Sequence, residues 1–117
     1  MKKTNIIKDN RDFTNIIKKR NGISNKYFIL NKENNNLNKT MFGITFVKNI
    51  GNAVTRNKLK RRVKSIIDNN ENIYQNNKNY IIIIKKDAKD AKYIDLESNL
   101  IDIFNKIKEK TYEENNK

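Results

Sequence analysis

Phe42-Gly43-Ile44-Thr45-Phe46-Val47-Lys48-Asn49-Ile50-Gly51-Asn52-Ala53-Val54-Thr55-Arg56-Asn57-Lys58-Leu59-Lys60-Arg61-Arg62-Val63-Lys64 changes its period partway along, and that change sets the fold. Met41 to Val47 alternates with period two, which predicts a strand with Phe42, Ile44 and Phe46 on one side and Gly43, Thr45 and Val47 on the other. Lys48 to Gly51 reads as a turn. From about Ala53 to about Asn70 the period is helical, because Leu59, Val63, Ile66 and Ile67 fall at i, i+4, i+7 and i+8 and make one apolar stripe.

The rest of that helix is unusually charged. From Arg56 to Lys64, six of nine side chains are cationic and none is acidic. Asn57, Lys58, Arg61 and Lys64 point away from the apolar stripe, with Arg56 and Lys60 along one flank. Solvated helix faces usually mix both signs. A face of one sign opposite a buried stripe suits a polyanion. Arg62 lies nearer the apolar side, where capping or a salt bridge competes with any polyanion contact.

Working outward, Asn10 reads as the cap of a short helix carrying Phe13, Ile16 and Ile17, ended by Asn21-Gly22. Lys26 to Lys32 reads as a strand and Asn34 to Lys39 as a polar loop. Tyr80-Ile81-Ile82-Ile83-Ile84 is apolar without alternation, as in a central strand covered on both faces. A last helix from near Tyr93 to near Lys110 carries Leu96, Leu100, Ile103, Phe104 and Ile107 on one stripe, with Asp95 and Glu97 in its first turn. Thr111 to Lys117 reads as a frayed polar tail. The order α-β-β-α-β-α, with room for one more short strand, predicts an α/β (α+β) sandwich around a small mixed sheet. Residues 1–117 form one expected domain, ordered from about 10 to 110.

Composition narrows the function. The chain has 26 Lys and Arg against 13 Asp and Glu, a formal net charge of +13, which favours nucleic acid or an anionic membrane surface as partner. The longest apolar run, Tyr80 to Ile84, is too short to span a bilayer, and Met1 to Ile7 is not followed by a signal-peptide core. A soluble, cytoplasmic protein with no membrane partner is expected. Histidine and cysteine are both absent, which removes the usual general base near neutral pH, thiolate chemistry and disulfides. No paired-carboxylate motif, phosphate-cradling glycine loop or nucleophile elbow is present. No catalytic residue and no metal ligand is assigned to this chain. Tyr74, Tyr80, Tyr93 and Tyr112 show no common pattern and read as structural.

The stretch from Phe42 to Arg61 resembles the signature of the bacterial ribonuclease P protein subunit: a strand, a lysine-containing turn, a Gly-Asn-Ala-Val entry, and a helix opening on Arg-Asn-Arg and continuing to Lys-Arg. The resemblance covers roughly Asn10 to Lys108 and is densest from Phe42 to Ile67. Lys58 and Lys64 stand where the family commonly has arginine, so charge is kept and the bidentate fork is lost. The resemblance implies a left-handed β-α-β crossover where a right-handed one is the rule. It implies an RNA partner, ribonuclease P RNA, contacted by Arg56, Asn57, Lys58, Lys60, Arg61 and Lys64, one protein per RNA. It also implies a cleft for the 5′ leader of precursor tRNA, with Phe13, Ile17, Lys26, Phe28, Asn31, Thr45 and Lys48 at the matching positions. Ile17 and Asn31 replace residues that are usually aromatic. The expected activity is Mg²⁺-dependent endonucleolytic removal of the leader, with Mg²⁺ held mainly by the RNA subunit and substrate phosphates. The alternative is a general basic RNA-binding protein such as a ribosomal protein. A major-groove reader is disfavoured, because strands rather than a second helix flank the basic helix.

Overall fold

The computed structural model describes residues 22–115, with side chains as far as Lys108. The expected helix near Phe13, Ile16 and Ile17 lies outside the described residues. Four strands and two helices follow: β1 (Ile23–Ser24), β2 (Phe28–Asn34), β3 (Met41–Phe46), α1 (Ala53–Asn69), β4 (Lys78–Ile84) and α2 (Tyr93–Asn115). Short 3₁₀ turns at Glu71–Ile73 and Lys86–Asp90 join the later elements. The sheet order is β1-β2-β4-β3, so β4 is interior as its unbroken isoleucine run requires. It runs antiparallel to β2 and parallel to β3, and α1 makes the crossover between the two parallel neighbours.

Register sorts the side chains. Phe28, Ile84 and Phe46 form one row across the sheet, Leu30, Ile82 and Ile44 the next, and Lys32, Tyr80 and Phe42 a third. These rows meet the stripes of both helices, since Leu59, Val63, Ile66 and Ile67 join Leu96, Leu100, Ile103, Phe104 and Ile107 in one buried cluster. Aromatic contacts tie the layers together. Tyr80 packs edge-on to Phe104 at 4.9 Å between centroids, and Phe42 stacks on Tyr80 at 5.8 Å. The opposite face carries Ile81, Met41 and Ile83 as a second, smaller cluster.

Three differences from the sequence reading have local causes. The expected strand Lys26–Lys32 starts instead at Phe28, because Asn25 Oδ1 accepts the N–H groups of Tyr27 (3.1 Å) and Phe28 (3.0 Å) and folds 25–27 into a turn. Val47, expected on the Gly43–Thr45 face, packs against the main core, because β3 ends at Phe46 and alternation lapses at the turn. The last helix runs to Asn115, past the expected end near Lys110, and no glycine or proline interrupts its 23 residues.

The Tyr80 hydroxyl accepts the Gln75 N–H at 3.0 Å, and burial pushes its pKa up to about 12. Below pH 10 both folded and unfolded chains keep this proton. Between pH 10 and 12 the unfolded chain loses a proton that the fold retains, so stability falls as pH rises. We expect a decline of roughly 1 kcal/mol per pH unit from this group. Urea midpoints of the wild type and Tyr80→Phe, compared across that window, isolate it from the lysines. Parallel pH profiles would rule it out.

Candidate nucleic-acid interface

The turn into α1 fixes where its charges point. Gly51 has φ +148°, and a Cβ there would lie 3.2 Å from the Thr55 side chain, so backbone and space both select glycine. Asn52 follows as N-cap, its Oδ1 accepting the Thr55 N–H at 3.0 Å, an interaction that stabilises a helix by about 1 kcal/mol. At the other end the Asn70 side chain donates to the Ile66 carbonyl (2.8 Å) and to Glu97 (3.3 Å). With four stripe residues buried and both ends tied, the rotation of α1 is determined.

That rotation leaves Arg56, Asn57, Lys58 and Arg61 exposed and Lys60 and Lys64 half-buried on one open side. Among the described residues no carboxylate lies within ion-pair distance of any of these five cations. The first turn of α1 holds no acid. Arg56–Lys60 and Lys60–Lys64 are like-charge i,i+4 pairs, each destabilising by about 0.2–0.5 kcal/mol in an isolated helix. The helix therefore carries an unbalanced charge that a polyanion would relieve. Among the described residues Val54, Asn57, Lys60, Arg61 and Lys64 line a shallow concavity of about 550 Å³ on this side. Arg62 is not part of it: its Nη1 donates to the Ala91 carbonyl at 3.4 Å and braces α1 against the chain entering α2.

The second expected group is not held together. Phe13 and Ile17 lie outside the described residues. Phe28 is fully buried on the helix-covered face, whereas Asn31 and Thr45 belong to rows on the opposite face. Residues 28 and 31 are three apart, and side chains at odd spacing on a regular strand face opposite sides. A cleft lined by both is therefore corrected by parity alone. Asn31 is itself only 4 % exposed, with Gly22 packed so close that a Cβ there would sit 2.6 Å from Asn31 Oδ1. Thr45 is half-buried, and Lys26 and Lys48 are exposed. Lys26 and Lys48 stand at one end of the sheet, before β2 and after β3, and Lys85 joins them there just after β4. Its Nζ donates to the Asn25 carbonyl at 2.6 Å. Sequence reasoning missed Lys85: that it closes an apolar strand was visible, but its place beside Lys26 and Lys48 comes only from the strand register.

A one-signed helix on a mixed sheet, with more cations gathered at one sheet end, defines an α+β protein built to meet a polyanion. The sequence profile of the family described as Ribonuclease P matches residues 1–108. The chain belongs to the ribonuclease P protein family, the protein component of a ribonucleoprotein endoribonuclease of tRNA processing. It is 38% identical to the ribonuclease P protein component of Mycoplasma mycoides over 109 residues, covering 92% of this chain and 100% of that one. Against the Streptococcus pneumoniae (strain Hungary19A-6) component it is 32% identical over 116 residues, covering 99% and 93%. Among solved structures, a Staphylococcus aureus RNase P protein mutant with defective mRNA degradation activity superposes with a TM-score of 0.78 at 31% identity, covering 91% of this chain and 90% of that one. The Thermotoga maritima RNase P protein gives 0.74 at 25% identity, covering 84% and 93%.

Family membership implies ribonuclease P RNA as partner and Mg²⁺-dependent catalysis by that RNA. Among the described residues no group of three or more acidic side chains converges that would suit a metal ion. The described residues therefore offer no site for a protein-held Mg²⁺. No described helix is long and apolar enough to cross a membrane.

Proposed function

We propose that the open face of α1, with Arg56, Asn57, Lys58, Lys60, Arg61 and Lys64, docks one protein onto one ribonuclease P RNA in the cytoplasm. In the same reading, Lys26, Lys48 and Lys85 at the sheet end, beside Thr45, meet the 5′ leader of precursor tRNA. The observation that carries it is the cationic side of α1, whose helix is capped and packed on the core yet whose cations have no carboxylate partner among the described residues. The protein lowers phosphate repulsion between RNA subunit and substrate and holds the leader, while the RNA performs the cleavage with Mg²⁺. The absence of histidine and cysteine from the whole chain agrees with that division.

The test uses the reconstituted ribonucleoprotein with precursors that carry or lack a leader. Lys26→Ala combined with Lys48→Ala is expected to weaken leader-bearing precursor on the order of tenfold, two phosphate contacts being lost. Mature tRNA and the RNA subunit should bind as before. Protein without RNA should not cleave. Equal losses for both substrates would remove the sheet end from the leader path. Correct 5′ cleavage by RNA-free protein would make the chain itself the catalyst.

A further inference from the structure

Val54 is the anomaly on the cationic face. It is 77 % exposed, more than any other large hydrophobic side chain among the described residues. Nothing about the helix asks for valine there. A β-branched residue is a poorer helix former than alanine, and at this exposure it gains almost nothing from burial. Its position is nevertheless specific. Val54, Asn57, Arg61 and Lys64 stand at i, i+3, i+7 and i+10, and with Lys60 they line the concavity of about 550 Å³.

The lining is chemically mixed in an ordered way: one apolar group, one amide, three cations and no acid. Phosphate alone would use the cations and leave the isopropyl group idle. A nucleotide uses all three, since its base has a flat apolar face, its edge carries donors and acceptors, and its phosphates are anionic. Structured RNA points the same way. The major groove of an A-form helix is too deep and narrow for side chains to read, so proteins read RNA bases where they are unpaired and splayed out.

We propose that this concavity seats one unstacked nucleotide of the RNA subunit. Its base lies on Val54, its edge is read by Asn57, and its flanking phosphates are held by Lys60, Arg61 and Lys64. The proposal rests on the reading that α1 docks on that RNA, and it adds a base-dependent contact to a charge-dependent one. Val54 thereby becomes a determinant of which RNA site is chosen, since phosphate contacts alone carry no sequence information.

The two kinds of contact respond differently to salt, which supplies the test. Val54→Ala and Val54→Thr would be titrated against the ribonuclease P RNA over a range of salt concentrations. Removing the two carbons that the base would cover should raise Kd about fivefold for Val54→Ala at every salt concentration, and exchanging one methyl for a hydroxyl in Val54→Thr should weaken binding in the same direction. The slope of log K against log salt should stay at the wild-type value, because no counterion-releasing contact is lost. Chemical probing of the unpaired bases should show one nucleotide protected by wild type and open with either variant. An abasic substitution at that nucleotide should cancel the effect of Val54→Ala, as a double-mutant cycle requires. Thermal unfolding should match the wild type, so a loss of binding cannot come from misfolding. Wild-type affinity for both variants, alongside weakened binding by the Arg56, Lys60 and Arg61 alanine variant, would overturn the nucleotide seat and leave the docking intact. Normal binding by that charge variant would overturn the docking itself. A fivefold loss with a flattened slope would place Val54 in phosphate geometry and also reject the seat.

Discussion

Replacing Arg56, Lys60 and Arg61 together with alanine should weaken binding to ribonuclease P RNA on the order of a hundredfold near physiological salt. Each cation that neutralises a phosphate releases a condensed counterion, so its removal lowers the slope of log K against log salt by about 0.7 to 0.9. Three such contacts lower it by roughly 2 to 3, and near 0.15 M salt each is worth about four- to fivefold in affinity. The loss should therefore shrink as salt rises, which separates it from a folding defect. Folding should be unchanged or slightly improved. All three side chains lie off the buried Leu59-Val63-Ile66-Ile67 stripe, and removing Arg56 and Lys60 relieves like-charge repulsion. Filter binding across a salt series and a urea melt check both halves. A triple variant that binds with wild-type affinity and slope would remove α1 from the interface.

Lys58 offers a companion to this measurement, since the helix has lysine where the family commonly has arginine. Lysine is a point charge, whereas arginine adds two directed hydrogen bonds to a phosphate at no change in charge. The salt slope depends on the number of phosphates neutralised, so Lys58→Arg should leave the slope alone whatever it does to affinity.

What could be read from the sequence was whatever depends on neighbours a few residues away. The α1 stripe is the buried set of the structure, residue for residue, because a 3.6-residue period survives any packing arrangement. The α2 stripe is equally local. The isoleucine run of β4 signalled an interior strand, and Ile81 and Ile82 are indeed fully buried on opposite faces. The strand order was a different kind of question. That β4 enters between β2 and β3, antiparallel to one and parallel to the other, is decided by pairings 38 to 56 residues apart. No periodicity encodes those pairings. The cations at the sheet end fall in the same class. Lys26, Lys48 and Lys85 are far apart in sequence, and only the shared register of β2, β4 and β3 places them together. The start of β2 turned on one side chain, Asn25, whose turn occupies two residues that propensity would give to the strand.

The same strand supplies the largest expected effect on stability, and it reverses a functional expectation. Phe28→Ala should destabilise the protein by about 3–5 kcal/mol, the usual cost of emptying an aromatic site in a packed core. Phe28 is 0 % exposed, sits in the row with Ile84 and Phe46, and meets Tyr27 edge-on at 6.4 Å between ring centroids. A single domain is typically stable by about 5–15 kcal/mol, so the variant stands to lose much of what it has. Its binding to every RNA, leader-bearing or not, should fall together as the folded fraction falls. A stacking platform behaves otherwise: truncation leaves the fold intact and removes about 1–3 kcal/mol per stacked base from single-stranded RNA binding alone. Phe28→Leu separates the two cases, since a large aliphatic side chain restores most core packing but cannot replace a ring beneath a base. Recovery of both urea midpoint and leader binding in Phe28→Leu would keep Phe28 a core residue. A wild-type midpoint in Phe28→Ala with a loss confined to leader-bearing precursor would return the ring to the RNA path, and it would require β2 to turn its other face toward the helices.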